Sequence, residues 1–315
     1  MDWLTLPPLR PPNWWLPRGP RAAACAGLKV YQPMTSRGRA AWLTTRLAAR
    51  LGGLGLLAHG QPPPDAVVEL AAPHLPAGGA MAVMRREGGH RFVVLIMSPA
   101  GRPLRVAKVA LSDTEGQALR REAEAIATYG RWLAPPLAAP CVLASESRLL
   151  LLDAVDWQVQ ARPWRLTSSV AAALGAFHRR GRSGHAGGLA HGDCTPWNLL
   201  RHAHGWVLVD WGHAGPDVPA YFDILHFFVQ SSRNLGRPSQ RAIVRGVTSG
   251  AGWIGRAVQA YADAAGLDRD QAVGYLRTYL WAREARIDLR TPQGRSLLLT
   301  TGSHQAQALG RREGP

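Results

Sequence analysis

The chain has 315 residues, 46% of them hydrophobic, and a formal net charge of +16. That is enough apolar material for one core or two smaller ones, and no apolar run approaches the roughly 18–20 residues of a membrane-spanning helix, so no integral membrane segment is expected. The positive charge comes from arginines scattered along a chain rich in Ala, Gly and Pro, without a long basic run or interleaved aromatics; this is the pattern of a coding bias, and no nucleic-acid partner is expected.

In chain order, residues 1–20 carry Pro7, Pro8, Pro11, Pro12, Trp14 and Trp15, which predicts extended or irregular chain because proline removes donors and fixes φ. Residues 39–57 predict a helix, and residues 60–80 a Gly/Pro-rich connection. Gly53-Leu-Gly55-Leu-Leu-Ala58 matches a dinucleotide loop formally, but no strand precedes it and no acidic residue follows about 20 positions on, so it reads as a helix end. From residue 81 the pattern turns to strands, over 82–86, 91–97 and 103–109, the last two joined by the turn residues Ser98-Pro-Ala-Gly101. A helix follows over 114–129, with Ser112 or Asp113 as its N-cap. Strands fit 141–145 and 148–154. Beyond Arg165 the pattern is mainly helical, interrupted near 190–215 by loops and two short strands. A β-rich first lobe followed by a helical second lobe is an α+β chain. The expected division is an N-terminal extension of unknown role (1–75), a β-rich lobe (76–155) and a helical lobe (156–315).

Cys25, Cys141 and Cys194 are odd in number and scattered, so no disulfide or zinc framework is expected. Met1-Asp2-Trp3 begins no basic-then-apolar leader, and the expected location is the cytoplasm. Lysine occurs only at Lys29 and Lys108, which makes each lysine a candidate for a specific task.

The chemistry concentrates in His191-Gly-Asp193-Cys-Thr-Pro-Trp-Asn198. Pro196 argues for a loop here. A short apolar strand follows, Trp206 to Val209, and ends in Asp210-Trp-Gly212. Phosphoryl transfer needs a carboxylate to receive the acceptor hydroxyl, oxygen ligands for Mg²⁺, and a cation on the phosphates. Asp193 suits the first role, Asn198 and Asp210 the second. Lys108, on the second hairpin strand, suits the third if a carboxylate orients it. Glu115, Glu122 and Glu124 are available on the next helix. Glu122 lies three after Leu119 and four before Ile126, so it shares their face, whereas Glu124 points away. Taken singly, a loop aspartate is ordinarily a turn residue, His191 a structural histidine and a strand lysine solvated. Here four elements occur in one order with compatible spacing.

On these residues the sequence resembles the aminoglycoside phosphotransferase and choline kinase group, within the two-lobe protein-kinase-like fold; the likeness spans about residues 80–230 and is most specific over 191–212. His191-Gly192-Asp193 stands where protein kinases carry His-Arg-Asp. The resemblance implies ATP and Mg²⁺ as cofactors, with Asp193 as catalytic base or acceptor-orienting group, Asn198 and Asp210 as metal ligands, and Lys108 paired with Glu122 on the phosphates. It places Asp153 to Val155 at the adenine, and His191 and Asp223 as supports of the catalytic loop; a helix-start cap is an equal reading of Asp223. Three features depart from the family. No glycine-rich phosphate loop is clear, Gly88-Gly89 being only a turn candidate; Gly212 stands where many relatives carry Glu; and residues 1–75 match nothing.

The implied activity is transfer of the ATP γ-phosphate to a hydroxyl of a small molecule: a sugar, saccharide, amino alcohol or aminoglycoside-like acceptor. Arginines outnumber acidic residues over 213–315, which favours a neutral or anionic acceptor over a polycation. Trp253, Tyr261, Tyr275 and Trp281 could line its pocket, although their spacing fits core packing better. His178, His185, His202, His204 and His213 lack zinc-like spacing. The unclear glycine loop motivates an alternative, a pseudokinase that binds nucleotide or scaffolds a partner. Oligomeric state is not legible.

Overall fold

Alternating apolar residues in the first half of the chain build an antiparallel sheet. The computed structural model describes residues 3–6, 13–18, 21–54, 62–86, 89–181 and 187–284. The early strands are β1 (Trp3–Leu6), β2 (Trp14–Pro17), β3 (Ala80–Arg85), β4 (Arg91–Met97), β5 (Pro103–Ala110), β6 (Leu137–Ala138), β7 (Val142–Ser145) and β8 (Leu149–Asp153). All but β6 join one seven-stranded sheet, in the order β1-β2-β3-β4-β5-β8-β7.

Within the first 20 residues, the described segments 3–6 and 14–17 are paired strands. Trp15 and Leu16 are fully buried, and β2 pairs with β3 through Trp14↔Met84 and Trp15↔Val83. Burying an indole and a leucine offsets the conformational entropy lost in ordering β2. The helices of this half are α1 (Arg21–Gly27), α2 (Ser36–Leu51), α3 (Asp65–Ala71) and α4 (Asp113–Tyr129). α2 stops before the expected residue 57, because Gly52 adopts φ 79° and returns its N–H to the Ala48 and Ala49 carbonyls. Of the dinucleotide-like segment, residues 55–58 lie outside the described residues, as do residues 87–88 of the glycine-turn candidate. The connection expected over 60–80 contains α3, whose Val67 and Ala71 are fully buried. At α4 the cap is Ser112, whose Oγ accepts the Glu115 N–H at 3.3 Å.

The core of this half lies on one sheet face. Trp15, Met81, Val83, Phe92, Val94, Ile96, Ala107, Val109, Leu149 and Leu151 cluster with Val67 and Ala71 of α3. Period-two alternation puts Lys108, between Ala107 and Val109, on the opposite face.

The second half is mainly helical: α5 (Ser168–Arg180), α6 (Phe222–Leu235), α7 (Gln240–Ser249), α8 (Gly252–Ala265) and α9 (Gln271–Glu284). α5 and α8 approach closely at Gly175, where an added Cβ would lie 2.3 Å from the Tyr261 carbonyl oxygen. Where two short strands were expected there are four: β9 (Gly188–Ala190), β10 (Leu199–His202), β11 (Gly205–Leu208) and β12 (Gly215–Val218). β10 and β11 form a three-stranded sheet with β6, and β9 pairs with β12.

The chain divides into two compact units. One holds residues 1–127 and 140–159, so the first 75 residues belong with the large sheet; the other holds 128–139 and 160–315. The class is α+β, with the β-rich and helical portions expected of a protein-kinase-like chain. No helix among the described residues is long and apolar enough to cross a membrane.

Candidate active site

In the first unit, the sheet face opposite the apolar core carries Lys108, and α4 brings Glu122 to it. The ammonium lies 2.5 Å from Glu122 Oε1, with both side chains buried. Leu119 and Ile126 bury the same helix face, and that packing fixes the carboxylate. Glu115 pairs instead with Arg91 at 2.8 Å. Asp153 and Val155 lie at and just beyond the end of β8. The Asp153 carboxylate accepts the Cys141 N–H at 2.5 Å, and the Val155 carbonyl accepts the Trp157 N–H at 2.9 Å. Lys29, the other lysine, is bonded to Asp156 and lines a cleft of about 430 Å³ with Arg39, Trp42, Arg46 and Trp157.

In the second unit, two loops are set beside each other by the small sheets. One leaves β9 and enters β10, carrying residues 191–198; the other leaves β11 and enters β12, carrying Asp210. The pairings β9–β12 and β10–β11 bracket both, and the Val209 N–H donates to the Asn198 carbonyl at 2.8 Å. Asn198 Nδ2 donates to the Asp193 carbonyl at 2.9 Å and to Asp193 Oδ2 at 3.0 Å. Its amide oxygen is thereby directed away from Asp193. Asp210 adopts φ 69°, a left-handed conformation in which aspartate and asparagine are the best tolerated residues after glycine.

His191 is fully buried, with its ring edge-to-face to Trp211 at 5.1 Å. Gly192 has φ 79°, a further reason for glycine between His191 and Asp193. Asp223, in the first turn of α6, holds this backbone: Oδ2 accepts the His191 N–H at 2.8 Å and Oδ1 the Gly192 N–H at 2.9 Å. The helix-start cap reading is not met: the N-cap position of α6 is Tyr221, with no side-chain cap hydrogen bond, and the Asp223 oxygens accept from the loop. Cys194, next to Asp193, is fully buried, and burial first, then Asp223 and Asp193, push its thiol well above its ordinary pKa. It stays protonated and is a poor nucleophile.

Two residues that the sequence reading missed join the site. His226 Nε2 lies 3.0 Å from Asp193 Oδ1, and His226 Nδ1 lies 2.6 Å from the Tyr279 hydroxyl. Asp223 and His226 are three apart, so the spacing along α6 was a signal that both face the same loop. Tyr279 had no local signal.

Of the aromatics weighed as pocket or core, Tyr261 is buried, and Trp253 and Tyr275 pack on Phe228 and Tyr221. Trp281 is 51% exposed, against the core packing expected for it; it lies two residues after the buried Tyr279, off the stripe that Tyr279 shares with Leu276. His202 and His204 are neighbours with ring centroids 6.1 Å apart, His185 lies outside the described residues, and no group of three metal-binding His, Cys, Asp or Glu occurs among the described residues.

The sequence model of the phosphotransferase enzyme family matches residues 39–285. Among solved structures, a macrolide 2'-phosphotransferase from Brachybacterium faecium is similar at 17% identity and a TM-score of 0.44, over 74% of this chain and 97% of that one. An ADP-bound aminoglycoside phosphotransferase is similar at 11% and 0.43, over 77% and 96%. A choline kinase from Cryptosporidium parvum is similar at 10% and 0.42, over 79% and 96%. No curated protein matches the chain.

Proposed function

The chain belongs to the phosphotransferase enzyme family, a family of small-molecule kinases, and from that premise we propose that it transfers the γ-phosphate of ATP, with Mg²⁺, to a hydroxyl of a small molecule in the cytoplasm. The observation that carries this reading is the Asp193 carboxylate. One oxygen is bonded to Asn198 and the other to His226, in a loop that Asp223 holds by its backbone. A carboxylate held this way offers its remaining lone pairs in a fixed direction to an incoming hydroxyl.

Asp193 orients the acceptor hydroxyl and receives its proton as the oxygen bonds to the γ-phosphorus and the bond to the β-phosphate oxygen breaks. Asn198 and Asp210 hold the metal. An amide oxygen and a carboxylate are hard donors, and Mg²⁺ characteristically takes one or two carboxylates and completes its shell with phosphate oxygens and water. This suits a site with few acidic groups. When bound, Mg²⁺ neutralises charge on the phosphates. Lys108, oriented by Glu122, supplies a point charge to the phosphates, and Asp153 to Val155 is the adenine-contacting segment. His191 and Asp223 support the loop.

The acceptor is sought by incubating the protein with MgATP and a panel of sugars, amino alcohols and aminoglycosides, with ADP release as the readout. With an accepted substrate, Asp193→Asn should lower kcat by about 10²–10⁴-fold, the range of acid–base catalysis, with nucleotide binding retained; full turnover in that variant sinks the assignment. Asp210→Asn keeps a side chain that tolerates φ 69° and should weaken MgATP binding. Unchanged affinity in magnesium removes Asp210 from the metal site.

A further inference from the structure

Asp193 is the residue on which the proposed reaction turns, and α6 touches it in a way that the motif does not account for. Asp223 grips the loop backbone. One turn later, His226 reaches the carboxylate itself, with Nε2 3.0 Å from Asp193 Oδ1. Its ring is 3% exposed and stacks on Phe222 at 5.5 Å with an interplanar angle of 19°. Phe222 is four residues back on the same helix, so the ring cannot turn without displacing a buried aromatic. At the far side of the ring, Nδ1 meets the Tyr279 hydroxyl of α9 at 2.6 Å, and Tyr279 is also 3% exposed.

The hydrogen-bonding inventory gives this chain a direction. An ionised carboxylate only accepts, so Nε2 must carry the proton in its contact with Asp193. A neutral imidazole with Nε2–H has an acceptor at Nδ1, and the Tyr279 O–H donates to it. Two donors then hold Asp193, one per oxygen: His226 on Oδ1 and Asn198 Nδ2 on Oδ2. Asn198 is five residues from Asp193 on its own loop; His226 and Tyr279 come from helices 33 and 86 positions away. Asn198 alone would leave the carboxylate free to pivot about that one bond. The second anchor fixes its plane.

We propose that His226, locked as its Nε2–H tautomer by the Tyr279 hydroxyl, is a positioning residue that sets the plane of the Asp193 carboxylate for phosphoryl transfer. This rests on the reading of Asp193 given above. The pair acts on the reacting geometry and not on nucleotide affinity, so its loss falls on kcat.

The test uses the full chain. Side-chain ¹⁵N NMR of histidine-labelled protein, with His226 assigned by its disappearance in His226→Gln, should show Nε2 protonated and Nδ1 as a hydrogen-bond acceptor. Tyr279→Phe deletes one oxygen and should move the Nδ1 resonance. A major Nδ1–H form, or a ring spectrum indifferent to Tyr279→Phe, overturns the proposal. Phosphate release from MgATP, with water or a substrate found in the panel as acceptor, supplies the kinetic arm. His226→Leu should lower kcat by about 10–100-fold, as loss of an outer-shell partner typically does, with the KM for ATP unchanged. His226→Gln, whose amide nitrogen lies at the same reach as Nε2, should recover most of the loss, and Tyr279→Phe added to His226→Leu should cost nothing further. If His226→Leu fails to fold, Tyr279→Phe and His226→Gln carry the kinetic test. Wild-type kcat in His226→Leu, with Asp193→Asn inactive, removes this proposal and spares the parent reading. An active Asp193→Asn removes the parent reading itself.

Discussion

The two units hold their central charged groups by different means. On the sheet, Lys108 is paired with an opposite charge, Glu122, packed against it by the apolar face of α4. Among the helices, Asp193 is held by hydrogen bonds to Asn198 of its own loop and His226 of α6, and its loop by Asp223 of the same helix. A buried ion pair concentrates the dependence in two residues: removing one partner leaves a charge in a poorly solvated place. A carboxylate held by several dipoles spreads the dependence, so each loss is smaller and shows in geometry before stability.

This contrast can be broken from either side. The largest stability effect should come from Glu122→Ala, which takes the buried carboxylate away from the Lys108 ammonium. A loss of about 3–5 kcal/mol is expected, read from urea midpoints, together with weakened nucleotide binding. A wild-type midpoint would mean that the ammonium finds water or another carboxylate. Next comes Asp223→Asn. Asparagine offers one oxygen where Asp223 offers two, so either the His191 or the Gly192 N–H loses its acceptor and faces an amide donor. About 1–3 kcal/mol is expected, with kcat falling in parallel because the loop that carries Asp193 is loosened. Stability lost without any change in kcat would make Asp223 a support of the fold and not of the reacting geometry.

The smallest effect is alkaline. Burial, then Asp223 and Asp193, hold the Cys194 thiol protonated above its ordinary pKa of 9.0. In the unfolded chain the thiol ionises near that ordinary value; in the folded chain it does so only at higher pH. The stability from the neutral thiol is therefore complete below about pH 9 and is lost as pH rises beyond it, by at most about 1.4 kcal/mol per pH unit. Tyr221 and Tyr261, also raised chiefly by burial, add to the decline above their ordinary 10.0. Cys194→Ala should flatten the first part of the curve between pH 9 and 10, measured as Tm against pH. An unchanged slope would assign the decline to the tyrosines alone. In native protein the exposed Cys141 should react with thiol reagents and Cys194 should not.

Legibility in the sequence followed the range of the interaction. The hairpin over β4 and β5 was readable because Ser98 to Gly101 closes it locally, with the Gly101 N–H on the Ser98 carbonyl at 2.9 Å. α4 was readable from its spacing and its cap. The strands before residue 20 were not, since their proline content argues for irregular chain and only the edge offered by β3 makes them strands. α3 was hidden inside a Pro/Gly-rich stretch for a similar reason: seven residues are too few to hold a helix alone, and Val67 and Ala71 gain theirs against the sheet.

By itself, the sequence determined that Lys108 lies on the second hairpin strand, that Glu122 shares a helix face with Leu119 and Ile126, and that Asp193, Asn198 and Asp210 follow in the order a phosphotransferase needs. These are consequences of two periodicities and of Pro196, and they need no knowledge of distant neighbours. Only the tertiary structure decided that Asp223 grips the His191-Gly192 backbone, that His226 meets Asp193 and that Tyr279 meets His226. Those contacts join α6 and α9 to the loop, and which buried polar group finds which partner is settled by how helices pack, under the requirement that each be satisfied.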